Sequence, residues 1–280
     1  MIGIVVDSNS QMPASLAERF GIAVVPLTVI VDGVEYSEGV DLSADAFYGA
    51  WTGDHEPKVE TSQPSPGSFL DAYRATVDRG ATEILSVHVA ASMSGTLNAA
   101  RVAAALVDVP VRLVDTGTAS FGVSCAAWAA ADAVADGAGL ERAARLAEQQ
   151  AASLRTSFIV GVPRLVDRSG RASGVGVEGA ASEGIPVLAM AGGDLCVLDT
   201  VFDVGAAVRV MVEDALAWPT SGDSGRRIAV GSSDDSSRAV SRALTAALDG
   251  HLDVAEVVQY RIGPSIGAHT GPGTAGLFVF

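Results

Sequence analysis

Residues 83–107 read Glu-Ile-Leu-Ser-Val-His-Val-Ala-Ala-Ser-Met-Ser-Gly-Thr-Leu-Asn-Ala-Ala-Arg-Val-Ala-Ala-Ala-Leu-Val, and this stretch decides the fold class. Its front, residues 83–89, is a short apolar run with β-branched residues, the pattern of a buried strand. Ala90 to Thr96 interrupts the run with hydroxyls and one glycine, and an alanine-rich helix follows to about Val107. A strand that passes through a tight turn into a helix is the repeating step of an α/β protein. The same step occurs on either side. Residues 3–6 form a buried first strand ending at Asp7-Ser8, and residues 111–114 form another ending at Asp115. Ala-rich helices are predicted over residues 120–136 and 140–154.

The intervening segments fill in the first half. Pro13 opens a short helix that Gly21 closes. Residues 22–31, the Asp32-Gly33 turn and residues 34–36 read as one hairpin, because Asp-Gly tolerates positive φ. Ser43 caps a helix through Trp51, a loop runs to Ser65, and residues 66–79 form a helix. A domain boundary is placed near residue 155, giving α/β domains over 1–155 and 156–280. In the second, residues 156–160 are β-like and residues 169–184 are Gly-rich without a helical period. Residues 186–190 and 195–200 flank Gly192-Gly193 as a hairpin. Helices over 204–217 and 234–248 alternate with strands over 227–230 and 254–260. The tail, 262–280, is too dense in Gly and Pro at its front for ordinary helix or strand.

Composition restricts the function. The 280 residues carry 33 acidic and 18 basic side chains, a formal net charge of -15, which disfavours nucleic acid and anionic membranes as partners. The sequence has no run of about 18 apolar residues that would span a bilayer. The N-terminus, Met1-Ile-Gly-Ile-Val-Val-Asp7, lacks the basic and long apolar regions of a signal peptide. Cys125 and Cys196 have no partner at metal or redox spacing. The expectation is a cytoplasmic protein without stable membrane insertion.

Several familiar chemistries fit poorly. Gly174-Val-Gly176-Val-Glu-Gly179 matches the dinucleotide string, but its polar approach is no strand. Asp7-Ser-Asn9 has Asn where an aspartyl phosphatase needs a second carboxylate, so Asp7 reads as a group that bonds backbone amides. Ser92-Met-Ser94-Gly-Thr96 is not a nucleophile elbow, although Ser94 beside His269 would be the pair for a serine hydrolase. His55 and His251 lie in polar contexts, His88 reads as structural, and no local metal cluster can be built.

What remains is a set of hydroxyl-rich turns: Thr61-Ser-Gln-Pro-Ser65, Ser94-Gly-Thr96 and Asp115-Thr116. In open α/β sheets ligands bind beyond the carboxyl ends of strands, where helix N-termini offer amides to an anion. Three such turns in one half-chain point to a small site for a carboxylate or phosphate. The Gly/Pro-rich tail presents one imidazole, His269, as a further ligand contact.

With these motifs in this order, the sequence resembles the DegV family of fatty-acid-binding proteins that serve fatty acid kinase. The resemblance spans the chain: Val-Val-Asp7-Ser8, Thr61-Ser-Gln-Pro-Ser65, Ser94-Gly-Thr96, Val114-Asp115-Thr116, and Gly-Ala-His269-Thr-Gly-Pro-Gly273 with Gly276. It implies an N-terminal α/β/α layered domain and a C-terminal α/β domain, with a long-chain fatty acid buried between them. It also implies that Thr61, Ser94 and His269 hold the carboxyl group, with Ser62, Gly95 and Thr96 around it. Such a protein is a carrier without catalysis or cofactor of its own, presenting the carboxylate to a separate kinase for acyl phosphate formation and phospholipid synthesis. Burying a sixteen-carbon tail gains roughly 11 kcal/mol gross, while each head-group hydrogen bond nets only about 1 kcal/mol. The tail then supplies affinity and the polar groups orientation.

The sequence departs from the family pattern at Ala90-Ala91 and Met93, where the family often has Ser-Ser and Leu. It also has Arg168-Ser-Gly170-Arg171-Ala172 for a Lys-Gly-Gly-Arg-Ile turn, and Val201-Phe202-Asp203 where an Arg is usual. Arg168 and Arg171 are therefore the candidates for kinase docking. The alternatives are a hydrolase of lipid esters using Ser94 and His269, and a regulatory carrier of another apolar carboxylate.

Overall fold

The computed structural model describes residues 1–52, 55–170, 175–191, 194–219 and 225–280. The chain divides into two compact units, Met1–Leu42 with Lys58–Ala152, and Ser43–Pro57 with Ser153–Phe280.

In the first unit, β1 (Ile2–Asp7) is followed by α1 (Ala14–Phe20) and β2 (Ala23–Val25). A hairpin of β3 (Thr28–Val31) and β4 (Val34–Ser37) comes next; α2 (Ala44–Tyr48) belongs to the second unit. The chain returns as β5 (Val59–Ser62) and α3 (Pro66–Asp78), then β6 (Glu83–His88), α4 (Thr96–Ala104) and β7 (Val111–Asp115). Helices α5 (Phe121–Ala135) and α6 (Leu140–Ala152) close the unit. Strands β2-β1-β6-β7 form a wholly parallel sheet with helices on both of its faces. Ile4, Val6, Leu85 and Val87 pack under α5 and α6, whose Ala126, Ala130, Ala143 and Ala147 are small enough for close approach. Val5 and Ile84 point the other way, to Phe69 and Tyr73 of α3 and Ala99, Ala100 and Ala103 of α4. This is the α/β/α layering expected for the N-terminal half.

Two local expectations fail. Residues 22–31 are not one strand: β2 joins β1, whereas β3 and β4 pair in a separate antiparallel sheet. Pro26 has no amide to continue a ladder, and Leu27 N–H donates instead to Ser8 Oγ at 2.9 Å. The stretch before Ser65 is not all loop, since β5 adds to β3 with Thr61 opposite Val29 and Ser62 opposite Thr28.

The second unit contains β8 (Arg155–Ile159), α7 (Pro163–Arg168), α8 (Val177–Ala181), β9 (Ile185–Ala191), β10 (Asp194–Val201) and α9 (Val204–Ala217). Then come β11 (Arg226–Ser232), α10 (Arg238–Leu248), β12 (Val254–Arg261), α11 (Pro264–Thr270) and β13 (Ala275–Val279). The sheet order is β10-β9-β8-β13-β11-β12, antiparallel except for β11 beside β12. Ile228, Val230, Leu277 and Val279 pack with Met211 of α9 and Leu244 of α10. Leu188 packs with Val166 and Val177 of α7 and α8. The predicted β9–β10 hairpin is present, while its Gly192-Gly193 tip lies outside the described residues.

The Gly/Pro tail also departs from expectation, because it holds both a helix and a central strand. Its special residues stand at ends: Gly263 caps α11, Pro264 is its first residue, and Gly271 (φ 76°) closes it. Within β13, Gly276 is a contact requirement, since a Cβ there would sit 2.3 Å from Phe158 Cβ. The 174–179 string lacks the dinucleotide context among the described residues, as α8 has only five residues and its N-cap, Gly176, is left-handed at φ 67°. Asp167 caps α8 by accepting from Val177 N and Glu178 N at 3.1 and 2.9 Å. Gly174 lies outside the described residues.

Candidate functional site

The carboxyl end of the parallel sheet gathers the first group of predicted residues. As β6 ends, the chain turns through residues 89–95 into α4, and groups at the end of β7 pin that turn. Asp115 Oδ1 accepts from Ala91 N and Gly117 N, both at 3.1 Å. Thr116 Oγ1 donates to His88 O at 2.8 Å, and Ala90 N–H donates to Thr118 O at 2.8 Å. The Asp115-Thr116 pair thus shapes its neighbour's turn. Ser94 Oγ lies 2.8 Å from Thr96 Oγ1 and accepts from Thr96 N at 3.3 Å. Ser94 is half-buried and Thr96 fully buried.

Thr61 and Ser62 stand at the end of β5, half-buried and exposed respectively. The next residue joins the two motifs: a Cβ built on Gly95 would lie 2.1 Å from Gln63 Oε1 and 3.0 Å from Gln63 Nε2. The carboxamide of Gln63 therefore lies directly over Gly95. Gln63 was not singled out in the sequence, although it sits inside Thr61-Ser-Gln-Pro-Ser65. The array offers hydroxyls, a carboxamide and amides of the α4 N-terminus, a chemistry suited to accepting a small anion through neutral donors.

Beneath this surface Asp7 bonds the backbone amides of Asn9 and Val89, each at 3.1 Å, as the sequence suggested. It has a third partner 81 residues away: His88 Nδ1 is 2.9 Å from Asp7 Oδ2, both side chains fully buried. His88 Nε2 lies 2.7 Å from Ser86 Oγ, which lies 2.8 Å from Tyr73 Oη. This is a Ser-His-Asp arrangement, but Ser86 is wholly enclosed and a nucleophile must meet a substrate. Burial raises the Tyr73 phenol to about 12, against a smaller lowering by its bond to Ser86.

His269 occupies the last turn of α11 in the second unit and is half-buried. Its helix is held by close backbone packing. A Cβ on Gly267 would meet Tyr48 Oη at 2.4 Å, and one on Gly161 would meet Pro272 O at 1.6 Å. Val162 N–H donates to Thr270 O at 3.1 Å, and Gly273 N–H donates to Asp234 Oδ1 at 2.8 Å. Burial pushes the Asp234 carboxyl up. The Gly273 amide and the Ser233 and Ser236 hydroxyls outweigh it and hold the group below its ordinary value. Arg168 is exposed at the end of α7, where Arg164 pairs with Glu56, and Arg171 lies outside the described residues. Among the described residues, no group of three or more His, Cys, Asp or Glu could hold a metal, and no helix is long and apolar enough to cross a membrane.

A family model described as "Uncharacterised protein, DegV family" matches residues 1–280. The chain belongs to the DegV family. A DegV domain-containing protein of Streptomyces coelicolor is 34% identical to it over 99% of this chain and 98% of its own. Among solved structures, a fatty-acid-binding DegV family protein from Thermus thermophilus superposes with a TM-score of 0.87 at 29% identity, covering 100% of this chain and 99% of the other. A stearic acid-binding protein from Eubacterium ventriosum gives the same TM-score, 0.87, at 25% identity, covering 100% and 98%. The α/β fold implied by the motifs is thus the DegV fold. Both of these structural neighbours are named for fatty acids.

Proposed function

We propose that this DegV protein is a cytoplasmic carrier of a long-chain fatty acid, and that it presents the carboxylate to a separate fatty acid kinase for acyl phosphate formation and phospholipid synthesis. The observation that carries the reading is the meeting of the Thr61–Gln63 strand end with the Ser94-Gly95-Thr96 turn at the carboxyl end of a parallel sheet. Thr61, Ser62, Ser94, Gly95 and Thr96 supply neutral donors to the head group, and His269 is the remaining contact. Ser94 behaves as a turn-capping hydroxyl, bonded to the amide and hydroxyl of Thr96, which favours a carrier over a hydrolase. No cofactor takes part in binding. Exposed Arg168, with Arg171, forms the docking point for the kinase.

Native mass spectrometry of the purified protein, with solvent extraction, tests ligand binding. The expected result is added mass matching a long-chain fatty acid; a bare chain that also fails to take up added palmitate overturns the reading. With kinase and ATP, bound palmitate is converted to acyl phosphate, and Ser94→Ala and Arg168→Glu each slow the conversion. Ester turnover by the isolated protein, blocked by a serine-reactive phosphonate, would instead establish the hydrolase.

A further inference from the structure

The buried chain from Tyr73 to Asp7 has no part in head-group contact, yet it joins the elements that carry the contacts. Tyr73 lies on α3, the helix capped by Ser65 just after the Thr61–Gln63 segment, where Ser65 Oγ accepts from Ser68 N. Ser86 and His88 lie on the α3-facing side of β6, immediately before the turn that carries Ser94. Asp7 ends β1 and also receives the Val89 amide at the start of that turn. All four side chains are fully buried, and Phe69 of α3 packs edge-on to the His88 ring at 5.0 Å between centroids.

The partners give the chain one direction. Among the described residues the Tyr73 hydroxyl bonds only Ser86, so it must donate there or leave its proton unsatisfied. Ser86, accepting from Tyr73, donates to His88 Nε2, and His88 Nδ1–H donates to Asp7. Each hydroxyl and ring proton then has an acceptor, and the Asp7 carboxylate collects the ring N–H and two backbone amides. Reversal would orphan the tyrosine proton and is disfavoured in an enclosed site.

We propose that His88 is a positioning residue, which through this one-way chain fixes the height of α3 against β6 and so holds Gln63 over Gly95 in the head-group site. A purely apolar layer would let α3 slide by fractions of an ångström at little cost; a directional chain permits one setting. The inference rests on the carrier reading for its consequence and on the hydrogen-bond geometry for its mechanism.

The two are tested separately. Nitrogen-15 NMR of the imidazole in the unaltered protein at pH 7 is expected to show His88 protonated at Nδ1 with a lone pair at Nε2. An Nε2-protonated or doubly protonated ring overturns the inference. The second arm is a double-mutant cycle read by palmitate affinity. Tyr73→Phe keeps the ring and removes the oxygen that starts the chain, and is expected to weaken binding about fivefold. In a Gln63→Ala background the same change is expected to have no further effect, because Tyr73 acts through Gln63. Additive effects, or none, overturn the positioning role while leaving the carrier intact. Failure of the unaltered protein to bind palmitate overturns the carrier reading itself and removes the role assigned to the chain, whatever the NMR shows.

Discussion

Gln63 covers Gly95 so closely that its Oε1 lies 2.1 Å from where a side-chain carbon on residue 95 would stand. Gly95 itself has an ordinary backbone, φ -74° and ψ 3°, open to any residue. The glycine is therefore required by its neighbour and not by its own conformation.

Gly95→Ala should consequently separate binding from folding. The end of an exposed, flexible Gln side chain can move aside, so the melting temperature should fall by no more than about 2–4 °C. Palmitate affinity should fall about tenfold, which is about 1.4 kcal/mol, because the displaced carboxamide reshapes the donor array. Calorimetric binding and thermal unfolding of one sample decide this; unchanged affinity would remove Gln63 from the site.

Gly161→Ala is the opposite case. Its Cβ would meet the Pro272 carbonyl at 1.6 Å, a backbone atom held by its own close packing. Here the fold must give, and urea unfolding should show a loss of at least about 3 kcal/mol. Near-native stability would mean that the α11–β13 turn is not interlocked with the end of β8.

Asp234 sets an acid limit on that turn. Its folded value is depressed, so its stabilising contribution is present above the unfolded value of about 4 and is lost as pH falls through the lower folded value. Asp234→Asn keeps an acceptor for Gly273 but not the charge. At pH 7 it should cost at most about 1 kcal/mol after allowance for solvent screening. The two stability curves should converge as the pH falls through that lower folded value. A gap that persists there in chemical denaturation would contradict the ionic contribution.

Tyr73 sets an alkaline limit. With the folded phenol at about 12 and the unfolded one near 10, the unfolded state loses its proton first, and stability declines over that interval by roughly 2–3 kcal/mol. Ultraviolet titration should show one of the four tyrosines ionising last, and Tyr73→Phe should abolish that step. Four transitions near 10 would be the contrary result.

The legible and illegible parts of the molecule divide along physical lines. Strands β1 and β6 are buried on both faces and β7 is half-buried at the sheet edge, so apolar runs ending in Asp or a hydroxyl-rich turn announce them. Strand β5 alternates half-buried with exposed residues and contains Glu60 and Ser62, which made it look like loop. Helix α11 hid behind its own punctuation, because Gly263, Pro264 and Gly271 read as breakers when they are caps. The hydroxyls of Thr61, Ser62, Ser94 and Thr96 could be read from local turn chemistry. Asp7 and His88 could not be paired, since 81 residues separate them and only strand order makes them neighbours.

The excursion of residues 43–57 into the second unit has a practical consequence. The backbone crosses from one unit to the other three times, after Leu42, Pro57 and Ala152. A single protease cut at the last crossing would leave residues 43–57 of the second unit on the same fragment as the first. A fragment ending near residue 155 would carry Phe47 and Tyr48 without the Gly267 surface that encloses them, and should be sticky in solution. The halves of this protein are best produced as one polypeptide, and dissecting it takes three scissions in place of one.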